Sequence, residues 1–111
     1  MTYDNENIFA KILRGEIPCK KIYEDEFVLS FYDINPQKKI HALVIPKGKY
    51  IDLDDFAVNA SDDEIVGLVK GINKVAKKLN ITVDTGKGYR ALANISAVSY
   101  THLTLPTNDQ V

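Results

Sequence analysis

The chain has 111 residues, enough for one domain with a hydrophobic core of its own. Hydrophobic residues make up 45% of it and charged residues 26%, as in ordinary globular proteins. Fourteen basic residues nearly balance fifteen acidic ones, so the charge does not indicate nucleic acid or an anionic membrane as a partner. A single cysteine, Cys19, excludes an internal disulfide framework and fits a reducing compartment. Without a signal-peptide pattern or an apolar run of the ~20 residues that span a membrane, we expect a cytoplasmic protein.

The first part of the chain predicts a short helix followed by three strands. Asn5 or Asn7 can cap a helix over residues 8–14, and Gly15 sits where a left-handed residue ends it. Apolar, β-rich runs then predict strands at 20–24, 27–32 and 40–45. Because consecutive strands usually pair, the simplest arrangement is an antiparallel meander.

The second part predicts a long helix and a further strand. The polar, acidic stretch 48–60 is typical of a connecting loop, with at most a helical turn. Ser61 and Glu64 form a capping-box pattern, and apolar residues recur behind it at the three-and-four spacing of a one-sided helix that runs to about residue 80. A strand is predicted at 89–95. Together the elements predict an α+β domain, with an antiparallel sheet of about four to five strands and the long helix on one face.

The hairpin over residues 31–47 is the part of the chain most suggestive of a site. Asn35 and Pro36 supply turn chemistry between its two strands. Asp33 and His41 lie at the strand ends on either side of that turn and are bracketed by apolar residues. An acid and a histidine in such a setting can form the wall of a small-molecule pocket, and they also fit a hairpin with no further role.

Five segments, taken in order and spacing, resemble the histidine triad (HIT) family and in particular its Hint-type branch. They are NIFAKILRGEIP (7–18), YEDE (23–26), FYDINPQ (31–37), HALVIPK (41–47) and GYRALAN (88–94). The resemblance covers roughly residues 5–96. It implies a HIT-like fold, a homodimer in which two subunits extend their sheets, and a pocket for a purine nucleoside monophosphate.

The resemblance assigns a role to each residue that matches the family's nucleotide site. It implies apolar side chains against the base, a carboxylate for the ribose hydroxyls, a histidine on the pocket wall and a polar residue near the phosphate. A flat base fits between apolar groups and a ribose diol fits an ionised acceptor. Taken singly, the same residues are explained as core, turn former and strand histidine. The implied nucleotide-binding residues are Ile8, Phe9, Phe31, Ile34 (base), Asp33 (ribose), His41 (wall) and Asn94 (phosphate).

The family's catalytic motif, three alternating histidines on the final strand, is missing from this sequence. In the family the middle histidine attacks the phosphorus of an activated nucleotide, and water then cleaves the nucleotidyl-enzyme. After Asn94 the chain instead holds one histidine, His102, with Thr104 and Pro106 at the next alternating positions. We therefore expect no intact catalytic residue and no more than trace hydrolysis of nucleoside phosphoramidates.

The segment after residue 96 no longer resembles the family, and the match is lost abruptly at this point. SYTHLTLPT (99–107) resembles a peptide that arises when adapter DNA is translated at the end of an open reading frame. We expect residues 1–96 to form the HIT-like domain and residues 97–111 to be a non-native or aberrant tail. Its β-branched residues from 99 to 105 can still substitute as a strand, which Pro106 would end.

Cofactors and metals are not expected. Some bacterial relatives implied by the resemblance carry cysteines of a zinc site at the positions of Asn7 and Ala10, and neither is cysteine here. Three functional hypotheses follow: a nucleotidyl hydrolase or transferase in the intact form, a non-catalytic nucleotide-binding or homodimeric interaction module, and a truncated domain that folds poorly.

Overall fold

The computed structural model describes residues 5–33, 41–93 and the strand 103–106. Its centre is an antiparallel sheet of five strands in the order β1-β2-β3-β5-β4. The strands are β1 (Lys21–Glu24), β2 (Val28–Tyr32), β3 (His41–Pro46), β4 (Leu92–Ala93) and β5 (Leu103–Pro106). The helices are α1 (Ile8–Leu13), α2 (Leu53–Asn59) and α3 (Asp62–Leu79), and a 3₁₀ turn covers Val83–Thr85.

The predicted meander is confirmed, and the last strand of the described residues takes an internal place in the sheet. β1 pairs with β2 across a bulge between Lys21 and Tyr23, and β2 pairs with β3 without interruption. β5 lies between β3 and β4, with Thr104 opposite Leu43 on one side and Leu92 on the other. The segment after residue 96 therefore supplies a strand, as its composition allows. β4 begins at Leu92, later than the strand expected at 89–95, and residues 94–95 lie outside the described ranges.

The sheet separates two apolar cores because side chains alternate between its faces. On one face, Val28, Ala42 and Val44 pack with α3 through Leu68 and Val75. On the other face, the side chains that pack together come from α1, β2 and β3: Ile12, Leu29, Phe31, Leu43 and Ile45. The expectation of a long helix on one sheet face is confirmed, and α1 covers the opposite face.

Local chemistry fixes the helix ends where the sequence predicts them. The Asn7 side chain accepts a hydrogen bond from the Ala10 amide at 2.8 Å and begins α1, and Gly15 follows the helix with a φ of +78°. Both halves of the capping box between Ser61 and Glu64 are present at the start of α3. Asn80 ends that helix in the left-handed conformation. Asx and glycine residues tolerate this conformation better than others.

The connection between β3 and α3 is more ordered than the sequence suggests. It contains the two-turn helix α2, where a connecting loop with at most a helical turn is expected. Asp52 caps it by accepting from the Asp55 amide at 2.8 Å. Phe56 is 2% exposed and meets the Tyr50 ring edge-on, with centroids 5.0 Å apart. One buried aromatic and one cap thus organise a segment whose acidic composition resembles a loop.

None of the helices in the described ranges has the length and apolar character needed to cross a bilayer.

Candidate functional site

A cavity of about 810 Å³ opens beside α1 and the adjoining ends of β1 and β2. Its floor is apolar, since Ile12 and Phe31 belong to the core between α1 and the sheet. One carboxylate, that of Asp33, stands in its wall. The described residues that line it are Ile12, Pro18, Cys19, Lys20, Phe31, Tyr32 and Asp33.

Two of the aromatic residues named from the sequence are brought together at the cavity floor. The rings of Phe9 and Phe31 lie 6.5 Å apart, centroid to centroid, at an interplanar angle of 42°. Phe31 is 3% exposed and lines the cavity, whereas Phe9 is half-buried and packs beside the α1 core. A tilted pair at this spacing is a favourable aromatic arrangement. It holds the Phe31 ring in place beneath the cavity.

Asp33 and His41 meet at the end of the β2–β3 ladder where the chain leaves β2 and enters β3. The Asp33 amide donates to the His41 carbonyl at 2.9 Å, which extends the strand pairing by one residue. The side chains also face each other, with His41 Nδ1 3.5 Å from Asp33 Oδ2. Asp33 lines the cavity, while His41 is not among the described lining residues. The predicted proximity of the acid and the histidine is therefore observed.

Of the other three residues predicted from the sequence to bind the nucleotide, the structure describes one. Ile8 is 48% exposed on α1 and is not among the described residues of the cavity lining. Ile34 and Asn94 lie outside the described residues.

The wall formed by Pro18, Cys19 and Lys20 was not singled out from the sequence. The Lys20 carbonyl accepts a hydrogen bond from the Tyr32 amide at 3.0 Å, which places this segment beside the end of β2. Partial burial raises the pKa of the Cys19 thiol, an effect that the nearby Lys21 opposes. Only the glycine and proline that mark the end of α1 indicate that the chain turns back along the sheet here.

The described lining can bind a flat ligand that carries hydroxyl groups. Its floor can take a flat apolar group, and the Asp33 carboxylate can accept hydrogen bonds from hydroxyl groups. Cys19 carries the one thiol of the sequence, and its raised pKa disfavours the reactive thiolate. Within the described ranges, no three His, Cys, Asp or Glu side chains are grouped to hold a metal ion.

Comparison with known proteins places this arrangement in a family. The model of the HIT domain matches residues 14–110. The chain belongs to the HIT family. Over 93 residues, it is 53% identical to an uncharacterized HIT-like protein of Azospirillum brasilense, an alignment that covers 84% of this chain and 74% of the relative.

Solved structures of HIT proteins share the fold. A HIT family hydrolase from Clostridium thermocellum superposes with a TM-score of 0.82 at 30% identity, over 97% of this chain and 95% of that one. A histidine triad nucleotide-binding protein from Candida albicans superposes with a TM-score of 0.77 at 32% identity, over 93% and 76% of the two chains. The expected fold class, α+β with an antiparallel sheet and one long helix, is confirmed.

Proposed function

We propose that this HIT-family chain is a Hint-type protein of the cytoplasm that binds a purine nucleoside monophosphate in the cavity beside α1. The base lies on the apolar floor, and the ribose hydroxyls donate to Asp33. The observation that carries the proposal is that Phe31 and Asp33, two residues apart along the chain, line the same cavity of about 810 Å³. This volume is in the range of small-molecule sites.

The neighbouring residues support the same assignment. Phe9 fixes the Phe31 ring, and Ile12 adds a second apolar surface from α1. Ile8, Ile34, His41 and Asn94 complete the proposed set. A solved relative of similar fold carries nucleotide binding in its name, the protein from Candida albicans.

We propose that the intact form hydrolyses nucleoside 5′-phosphoramidates or related nucleotidyl phosphate bonds, and that this chain is catalytically impaired. After Asn94 the sequence holds one histidine, His102, where the alternating motif requires three. Loss of a catalytic nucleophile typically costs several orders of magnitude in rate. A fluorogenic adenosine phosphoramidate should therefore give no more than trace product, and a burst or a steady release by this chain would refute the proposal.

The second candidate is a non-catalytic interaction module that works as a homodimer. Within the described sheet β4 is an edge strand, and its Leu92 is 44% exposed. An edge strand with an exposed apolar side chain can pair with a second copy and extend the sheet. Sedimentation equilibrium tests this candidate, since a monomer at all concentrations would exclude it.

Binding is tested by calorimetry with AMP. The chain should bind AMP, and Asp33→Ala should weaken the affinity roughly tenfold to hundredfold, the usual range for a hydrogen bond to a charged group. Asp84→Ala is the matched control, because it removes an exposed aspartate outside the cavity lining. Unchanged affinity in Asp33→Ala would show that the ribose assignment is wrong.

Alkylation of Cys19 gives a second, independent measurement of nucleotide binding. It is the one cysteine of the sequence and it lines the cavity. A bound nucleotide should therefore slow alkylation of its thiol, and the AMP concentration that halves the rate should match the calorimetric dissociation constant.

We also propose that residues from about 97 onward are not native to the gene and that the natural protein continues into the triad. Sequencing the locus with independent primers decides this. A genomic sequence that encodes the same tail would refute it.

A further inference from the structure

We propose that His41 is a positioning residue, which holds the Asp33 carboxylate in the cavity wall so that the site distinguishes ribose from 2′-deoxyribose. The inference deepens the nucleotide-binding proposal and rests on it. It gives His41, the wall residue of the proposed set, a further role that it exerts through Asp33.

The backbone places the two side chains beside each other. Tyr32 and Ala42 form the last registered pair of β2 and β3. The next residues outward are Asp33 and His41, joined by the 2.9 Å bond from the Asp33 amide to the His41 carbonyl. Directly opposed residues on antiparallel strands have side chains within contact distance. The 3.5 Å separation between Nδ1 and Oδ2 follows from this register.

The two side chains differ in their access to the cavity. Asp33 lines it and keeps 25% of its side chain exposed, whereas the His41 side chain is 12% exposed and is not among the described lining residues. Among the described residues, His41 thus contacts a carboxylate of the cavity lining without belonging to that lining itself. From there it can restrict the rotation of Asp33 without occupying the volume that a ribose needs.

The contact involves one oxygen of the carboxylate, since Oδ2 faces the imidazole at 3.5 Å. An ionised carboxylate can accept several hydrogen bonds on its two oxygens. A carboxylate that is already oriented loses less conformational freedom when the ligand binds. The gain appears only for a ligand that carries the hydroxyls, so it acts on the choice between ribose and 2′-deoxyribose.

The test compares affinities for AMP and 2′-deoxy-AMP by calorimetry. The unmodified chain should prefer AMP, and Asp33→Ala should abolish the preference. His41→Ala should reduce it severalfold, while His41→Asn should restore most of it because the asparagine amide occupies the position of Nδ1. Lys47→Gln is the control: it breaks the 2.8 Å contact with Glu24 near the opposite end of β3 and should leave the preference unchanged.

The double variant separates positioning from direct contact. If His41 acts through Asp33, the variant lacking both side chains should bind AMP within about twofold of Asp33→Ala alone, since coupled residues are not additive. The proposal would be overturned if the loss of AMP affinity in the double variant equalled the product of the losses in the two single variants. A His41→Ala variant that keeps the full preference for AMP would also overturn it.

A measurement without nucleotide distinguishes failure of this inference from failure of the proposed function. The ¹⁵N shifts of a histidine ring report which nitrogen carries the proton, and the partner of the other nitrogen sets this. In a His102→Gln background at alkaline pH, the Nδ1 signal of His41 should report a proton shared with Asp33 and should shift in Asp33→Ala. If the chain binds no AMP but this change occurs, the nucleotide proposal fails and the contact stands; an unchanged signal overturns the contact.

Discussion

Ser30 brings a hydroxyl group into the core between the sheet and α3. Its side chain is fully buried, and its Oγ has no hydrogen-bond partner among the described residues. On the strands to either side it pairs with Tyr23 and Val44. Burying a hydroxyl without a partner is unfavourable, because the group loses its bonds to water.

We therefore predict that Ser30→Ala does not destabilise the fold and raises the free energy of unfolding by up to about 1 kcal/mol. Urea denaturation followed by circular dichroism measures it. Ser61→Ala is the control, since it removes the capping serine of α3 and should lower stability by about 1 kcal/mol. Equal losses in both variants would show that the Ser30 hydroxyl is satisfied.

Gly67 lets α3 approach the sheet at Phe27. A Cβ atom at this position would overlap Cγ and Cδ2 of the Phe27 ring and lie 2.8 Å from its Cβ. These atoms are near the base of the side chain, so the whole ring would have to move.

Gly67→Ala should therefore lower stability by about 1–2 kcal/mol, because the overpacking outweighs the helix propensity that alanine gains. Gly88→Ala is the control, because a Cβ atom added there would meet no atom of the described residues within 4 Å beyond its two chain neighbours. It should change stability by less than about 0.5 kcal/mol. Thermal denaturation of both variants checks this, and a more stable Gly67→Ala would contradict it.

The sequence could predict a contact between two residues of one hairpin. It could not predict contacts that depend on how distant segments pack together. The contact between Asp33 and His41 follows from two strands and a turn, so short-range pattern was sufficient. The cavity also needs the segment Pro18–Lys20, whose position beside Tyr32 depends on how the chain returns from α1 to the sheet. A proline, a thiol and an exposed lysine carry no local pattern that specifies such a wall.

At the scale of elements, Glu24 ties β1 to the end of β3. Its carboxylate accepts from Lys21 Nζ and from Lys47 Nζ, both at 2.8 Å. The hydrogen bond from Lys21, followed by that from Lys47, lowers the pKa of Glu24 from 4.5 to about 2. The pKa is lower in the folded state, so the stability that it contributes is present above pH 4.5 and is lost as the pH falls towards about 2.

Glu24→Gln should therefore flatten the decline of stability between pH 4.5 and about 2, measured as the urea midpoint at several pH values. The effect should shrink at high salt because the groups are exposed. Glu26→Gln removes the same charge two residues away and should keep the original pH dependence. An identical profile in the two variants would show that the lysine contacts do not form.

The two helices that follow β3 show which elements the sequence specifies. α3 carries a capping box, charges matched to its dipole and an apolar stripe, so several independent patterns agree. α2 has seven residues, acidic groups in its first turn and one buried side chain, Phe56. A single buried aromatic does not establish a helical period, and its packing against Tyr50 is visible only in the fold.

For the whole molecule, β5 determines whether the sheet is continuous. Residues 103–106 pair on both sides, with β3 and with β4. Without them the backbone groups of β3 that face β5 would be unpaired, and β4 would lose its partner in the described sheet. Open edges of this kind promote association.

A chain that ends after residue 102 should therefore lose cooperative unfolding and form aggregates, whereas one that ends after residue 106 should fold as the full chain does. Analytical ultracentrifugation and circular dichroism compare the two. A compact, monomeric protein ending at residue 102 would show that β5 is dispensable.

The position of β5 in the sheet also determines the order in which the strands can pair during synthesis. Leu103–Pro106 is the last described element to be translated, yet its position in the sheet is an inner one. The meander β1-β2-β3 and helix α3 can assemble while the rest of the chain is still on the ribosome, since domains form as their contacts become available. β4, although made earlier than β5, must wait for it. Until β5 has been made, the nascent chain thus carries an open β3 edge, and an open edge of this kind promotes association.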